Sequence, residues 1–128
     1  MNDPARNFRF REFPVYKDSR KFISAVKAIS KQKFPSLERF GLLSQLWRAA
    51  DSILLNIAEG SDRGTDKDFA HFLNTAKTSL NEVIACIDIA LDNGYISEKD
   101  ANTILENSSG LSDQLTAFRK KLLGSPTK

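Results

Sequence analysis

The sequence predicts an all-α fold, an antiparallel up-down four-helix bundle, and three observations carry that expectation. Apolar residues recur at spacings of three and four through four long segments, the period of an amphipathic helix. The breaks between the segments are short and hold Pro, Gly, Ser and Asn, which favours antiparallel neighbours. Sustained period-two alternation with β-branched enrichment, the mark of strands, is absent. A chain of 128 residues fits one domain and can bury a core without staples. The expected organisation is an N-terminal arm over residues 1–13, a bundle over 14–123 and a tail over 124–128.

The first helix is expected over 15–32, behind Pro14, with Tyr16, Ser19, Phe22, Ile23, Val26, Ile29 and Ser30 on one stripe. Pro35 ends it, and Ser36 is placed to cap the second helix, expected over 37–59. The apolar positions of that helix are Phe40, Leu43, Leu46, Trp47, Ala50, Ile53, Leu54, Ile57 and Ala58, and Gly60 can close it in a left-handed conformation. Gly60–Gly64 is turn chemistry, after which Thr65 caps a third helix over 65–93 with Asp66 and Asp68 at the positive end of its dipole. Phe69, Phe72, Leu73, Ala76, Leu80, Val83, Ile84, Ile87, Ala90 and Leu91 carry its stripe, and Asn93-Gly94 ends it. Ser97-Glu98-Lys99-Asp100 resembles a capping box, with Asp in place of the usual Glu/Gln, and opens a fourth helix over 97–123, which uses Ala101, Ile104, Leu105, Ser108, Leu111, Leu115, Phe118 and Leu122. Gly110 inside it is a place for a bend.

Composition excludes several classes. One cysteine, Cys86, cannot form an internal disulfide and suits a reducing compartment. Behind the N-terminal Met1–Arg6 there is no apolar signal region, and no apolar run approaches the roughly 20 residues of a membrane span, so the expected location is cytoplasmic. His71 is the only histidine. Fifteen residues separate it from Cys86 on one helix, about 22 Å at roughly 1.5 Å per residue, so the two cannot share a metal within one chain. A bundle di-metal site needs Glu-x-x-His on two helices and is excluded. Neither a Gly-x-Ser-x-Gly elbow nor a phosphate-cradling Gly-rich loop before Lys-Ser/Thr occurs. The acidic pairs Asp66/Asp68 and Asp88/Asp92 read as solvated helix faces. The expectation is a non-enzymatic protein with no cofactor and no metal.

Charge distribution is more informative than the net charge of +3. Residues 1–33 hold nine Lys/Arg against three acids, whereas residues 61–93 hold three against six. Such asymmetry suits an anionic partner or contact between copies of the chain. Two features stand out in the basic quarter. Arg6-Asn7-Phe8-Arg9-Phe10-Arg11 interleaves aromatics with arginines, a pattern suited to base stacking and phosphate contact; the competing reading is an arm whose Phe8, Phe10 and Phe13 pack on the bundle or a neighbour. Lys17, Arg20, Lys21, Lys27 and Lys31 fall off the apolar stripe of the first helix and can follow a nucleic-acid backbone, against the alternative of a merely solvated face. The second helix carries Arg48, Ser52, Asn56 and Glu59 at spacings of four, four and three. Such a polar ribbon needs partners, from a network inside the bundle with Glu82 of the third helix or from a subunit interface.

The stretch from Phe34 to Gly60 contains Pro35-Ser36-Leu37-Glu38-Arg39-Phe40-Gly41-Leu42, then Gln45, Arg48-Ala49, Ser52-Ile53 and Asn56-Ile57-Ala58-Glu59-Gly60. It resembles the bacterial four-helix-bundle family named after the intervening sequence of 23S ribosomal RNA. Phe72, Leu73, Ala76, Ser79 and Glu82, and Gly94-Tyr95-Ile96, extend the resemblance to roughly residues 13–123. Trp47 stands where the family usually has a second basic residue, and Leu54 where it usually has proline. The resemblance implies a homopentamer of bundles and no enzyme activity. Relatives include accessory proteins of diversity-generating retroelements, which bind a reverse transcriptase and nucleic acid. Two functions are therefore expected: an oligomeric scaffold binding RNA or DNA, or a protein–protein adaptor for a partner such as a reverse transcriptase.

Overall fold

The computed structural model describes residues 3–124. Its helices are α1 (Pro14–Lys33), α2 (Leu42–Ser61), α3 (Asp66–Asp92) and α4 (Glu98–Leu123), and no strand occurs among the described residues. Each helix packs on the next in the chain, α4 closes onto α1, and α1 and α3 lie diagonally opposite. This is a four-helix bundle. Its core runs through Phe22, Val26, Leu46, Ile53, Ile57, Leu73, Leu80, Val83, Ile87, Ile104, Leu111 and Leu115, all buried. These are the stripe positions of the 3.6-residue period, so burial of the apolar stripes faces the four helices toward one another. Cys86 is buried with them. The buried serines Ser19 and Ser30 donate to the carbonyls of Val15 and Val26, at 2.7 and 2.8 Å, so neither leaves an unpaired hydroxyl in the core.

The start of α2 departs from expectation. The helix begins at Leu42, not near 37; Ser36–Glu38 form a 3₁₀ turn, and Ser36 makes no side-chain cap. Glu38 decides the boundary. Its carboxylate folds forward to accept the Leu42 N–H at 2.9 Å and receives the Tyr95 hydroxyl at 2.7 Å. Gly41 makes room for it, because a Cβ there would stand 2.7 Å from Glu38 Oε1. Leu37 and Phe40 consequently lie outside the helix and outside the core, at 76% and 87% exposed.

Gly60 is a second correction. It lies inside α2 and does not cap it; α2 runs on to Ser61, and only Gly94 and Gly124 have positive φ among the described glycines. A Cβ on Gly60 would stand 2.6 Å from Phe72 Cβ and 2.9 Å from Phe69 Cδ1. The glycine thus lets α2 approach α3 closely. Gly94, at φ +77°, closes α3 as expected, with the Tyr95 N–H reaching back to the Ala90 carbonyl at 2.9 Å. Thr65 and Ser97 cap α3 and α4 through the N–H groups of Asp68 and Asp100, each at 3.1 Å. Asp100 turns toward Lys33 (3.6 Å) on α1, so the Ser97 box is only half made. Gly110 faces open space and α4 continues through it.

The N-terminal arm is folded onto the end of the bundle as two 3₁₀ turns, Pro4–Asn7 and Arg9–Glu12. Phe13 stacks on Phe69 and meets Phe118 edge-on, with centroids 6.2 and 5.4 Å apart. Phe10 meets Tyr16 at 5.0 Å. Arg9 Nη2 donates to the Ser61 carbonyl at 2.8 Å, satisfying one of the free carbonyls at the end of α2. Of the tail, Gly124 caps α4; residues 125–128 lie outside the described residues.

Candidate nucleic-acid interface

The turn Arg9–Glu12 swings Arg11 and Glu12 alongside the first turns of α1. Together with Lys17, Arg20, Lys21 and Ser24 they line an open groove of about 730 Å³. Its single carboxylate, Glu12, is taken by Lys17 at 3.3 Å. Arg11, Arg20 and Lys21 are exposed, and their side chains make no hydrogen bond or ion pair among the described residues. Three uncommitted cations around one concave surface form a focused positive field.

The remaining predicted cations part company with this group. Lys27 leans onto α2, where Nζ lies 2.6 Å from Asp51 and 5.1 Å from the centre of the Trp47 ring. It closes the α1–α2 seam. Lys31 is exposed farther along α1. Arg6 and Arg9 line a different groove of about 700 Å³, between the arm and the end of α2, with Phe8, Phe10, Leu55, Ala58, Glu59 and Arg63. Arg6, Phe8, Arg9 and Phe10 of the arm therefore line one groove, and Arg11 lies in the other. Phe10 is half-buried, Phe8 is exposed, and Arg9 is tied to α2.

The polar ribbon of α2 is partly closed within the bundle. Ser52 Oγ and Ser79 Oγ are 2.8 Å apart, and Asn56 Nδ2 donates to the Ser52 carbonyl at 2.8 Å and to its hydroxyl at 3.0 Å. Glu59 faces Arg63 at 3.9 Å, one helical turn on. Glu82 does not join this network: it receives Gln45 Nε2 at 3.5 Å. Arg48 is exposed and has no hydrogen bond or ion pair among the described residues. The ribbon thus runs along the rim of the α2–α3 seam and leaves a guanidinium to solvent.

Two groups acquire a role only in three dimensions. Trp47 Nε1 donates to Ser30 Oγ at 2.9 Å, which ties α2 to α1. The Glu38–Tyr95 pair joins the α1–α2 loop to the α3–α4 loop, 57 residues away. The bonds from Leu42 and Tyr95 hold the Glu38 carboxyl below its ordinary range, and the same pair raises the Tyr95 phenol. Among the described residues no three His, Cys, Asp or Glu side chains converge as metal ligands, and no helix is long and apolar enough to cross a membrane.

The sequence pattern of the 23S rRNA-intervening sequence protein family matches residues 11–117. The chain belongs to that family. The match takes in α1, α2, α3 and most of α4, the Glu38 cap and the ribbon. No curated protein matches the chain. Among solved structures, a protein of unknown function from the S23 ribosomal protein family of Bacteroides thetaiotaomicron superposes with a TM-score of 0.75. It is 24% identical, and the alignment covers 83% of this chain and 98% of that one. The likeness extends the fold to that family member. Neither description names an enzymatic activity.

Proposed function

We propose that this member of the family is a non-enzymatic, homo-oligomeric scaffold that holds the phosphate backbone of RNA or DNA. The observation that supports the reading most is the groove between the arm and α1, where Arg11, Arg20 and Lys21 stand uncommitted. Cations in an open groove contact phosphates and carry no base information, so binding is expected to be largely independent of sequence. Lys31 stands farther along α1 and Arg6 in the other groove, whereas Lys17, Lys27 and Arg9 already have protein partners. The homopentamer implied by family resemblance would repeat the groove around a ring. Multivalency can raise avidity by about 10²–10⁴ where geometry allows all sites to engage.

Salt-dependent binding to single-stranded and duplex RNA and DNA tests this. The wild type should bind at low salt and lose affinity steeply as salt rises. The triple variant Arg11→Glu, Arg20→Glu, Lys21→Glu should lose most of that affinity while keeping its helical circular dichroism spectrum. Unchanged affinity in that variant, or no binding by the wild type at low salt, would replace this reading with the adaptor one. In that case the accessory-protein relatives make a polymerase such as a reverse transcriptase the first partner to try.

A further inference from the structure

The arm separates two grooves. On the α1 side Arg11, Arg20 and Lys21 stand uncommitted. On the α2 side the groove of about 700 Å³ has an apolar wall of Phe8 and Leu55, 52% and 65% exposed, beside half-buried Ala58. Phe8 sits on a fixed backbone. Its N–H donates to the Ala5 carbonyl at 2.9 Å, its carbonyl accepts the Arg11 N–H at 3.1 Å, and Phe10 meets its ring edge-on with centroids 6.3 Å apart. The polar groups of this groove are mixed. Arg9 is tied to the Ser61 carbonyl, and Arg63 lies 3.9 Å from Glu59 and 4.7 Å from the centre of the Phe72 ring. That leaves one cation, Arg6, and one carboxylate, Asp62, whose side chains make no hydrogen bond or ion pair among the described residues. A free donor and a free acceptor beside an aromatic wall select neither an anion nor a cation. They suit a planar uncharged ring whose edge carries both N–H and acceptor groups, which is a nucleobase.

We infer that this groove takes an unpaired base of a strand whose phosphates lie on Arg11, Arg20 and Lys21, with Phe8 as its stacking face and Arg6 and Asp62 at its edge. The inference rests on the phosphate-binding reading above and names the form of nucleic acid, single-stranded RNA or DNA. The spacing suits it. Phe8 and Arg11 are one 3₁₀ turn apart, roughly 6 Å at about 2 Å per residue, and a strand at ~3.4 Å per stacked nucleotide covers that in about two. Bases inside a duplex are stacked on one another, so only an unpaired one can splay out onto Phe8. Every base has a π-face, so the preference is for strandedness and not for sequence.

Oligonucleotides with and without bases decide the matter. A mixed-sequence single strand, a strand of the same length with abasic sugars throughout, and the matching duplex are titrated at one low salt concentration. Wild type should bind the intact single strand most tightly. Phe8→Ala and Phe8→Leu should each weaken that binding by roughly 5- to 100-fold, the worth of one base–aromatic stack, and leave the duplex and the abasic strand unchanged. Phe8→Leu keeps apolar bulk on the arm and removes only the aromatic face, and Phe8→Trp should restore wild-type affinity. Equal loss for all three ligands would make Phe8 a support of the arm and overturn the inference. No loss in either variant would also overturn it, and would leave the groove to a protein partner. In both cases the phosphate reading stands if the triple variant of Arg11, Arg20 and Lys21 loses affinity for every ligand. A wild type that binds none of the three would overturn both readings.

Discussion

At the scale of single residues, two contacts that depend on missing or charged atoms set the geometry. Gly60 sits where α2 and α3 approach, and a methyl group there meets Phe72 Cβ at 2.6 Å. Gly60→Ala should destabilise the fold by about 1–3 kcal/mol, the cost of overpacking a tight contact, measured by urea unfolding. An effect within about 0.5 kcal/mol, usual for a neutral surface change, would mean that the helices part without cost. Glu38 supplies a pH test. Its folded-state acidity is increased, first by the Leu42 N–H and then by the Tyr95 hydroxyl, so the ionised form is favoured in the native state. Its contribution is present above the ordinary glutamate range, around pH 4.3, and is lost as pH falls through the lower folded value. Tyr95 acts in the opposite direction: its raised folded value makes its contribution present below the ordinary phenol range and lost as pH rises through the folded value. Comparison of melting temperature against pH for wild type and Glu38→Gln should show the wild-type advantage shrinking in acid. A gap between the two that does not change with pH would remove the charged cap from the account.

At the scale of elements, the helix boundaries rest on caps, and the arm rests on an aromatic cluster. Thr65 and Ser97 each satisfy one N–H of a helix start, so Thr65→Ala and Ser97→Ala should each cost about 0.5–2 kcal/mol. Their effects should add, because the caps stand at opposite ends of the bundle; chemical denaturation of both single variants and the double variant checks this. Phe13 is half-buried between Phe69 and Phe118. Phe13→Ala should cost roughly 2–4 kcal/mol, below the usual range for a fully buried ring, and should free residues 3–12. Hydrogen exchange reads the second effect directly: loss of protection should concentrate in the arm, whose 3₁₀ N–H groups of Arg6, Phe8, Arg11 and Phe13 are bonded in the folded chain. Uniform loss across all four helices would show that the arm and bundle unfold together.

At the scale of the whole molecule, Cys86 reports on global opening. It lies in the core, and burial pushes its thiol up from the ordinary value, with Glu82 adding to the shift. The thiolate is the reactive form, so a thiol reagent should react with the native protein only through unfolding. The rate should follow urea-induced loss of helicity, and fast reaction in buffer would place the thiol near solvent. Net charge is a poor guide to this molecule: +3 overall conceals a basic arm and first helix on which the proposed binding depends.

The sequence by itself determined the four helices, their order and most of their core, because burying an apolar stripe imposes a period that can be read without coordinates. Thr65, Gly94 and Ser97 were legible for the same reason: capping is local, and its partners lie within a few residues. The tertiary structure decided whatever depends on residues far apart in the chain. Glu38 moves the start of α2 from 37 to 42 because Gly41 leaves space for its carboxylate and Tyr95, 57 residues on, holds it. Gly60 looked like a helix stop because local propensity contains no term for the approach of Phe69 and Phe72 from another helix. The basic residues show the division most clearly. Their number and place in the chain were plain, but Lys27 is drawn to Asp51, Lys17 to Glu12 and Arg9 to the Ser61 carbonyl. Which cations remain free for a partner is set by where the folded chain puts the acids and carbonyls, and spacing along one helix carries no record of that.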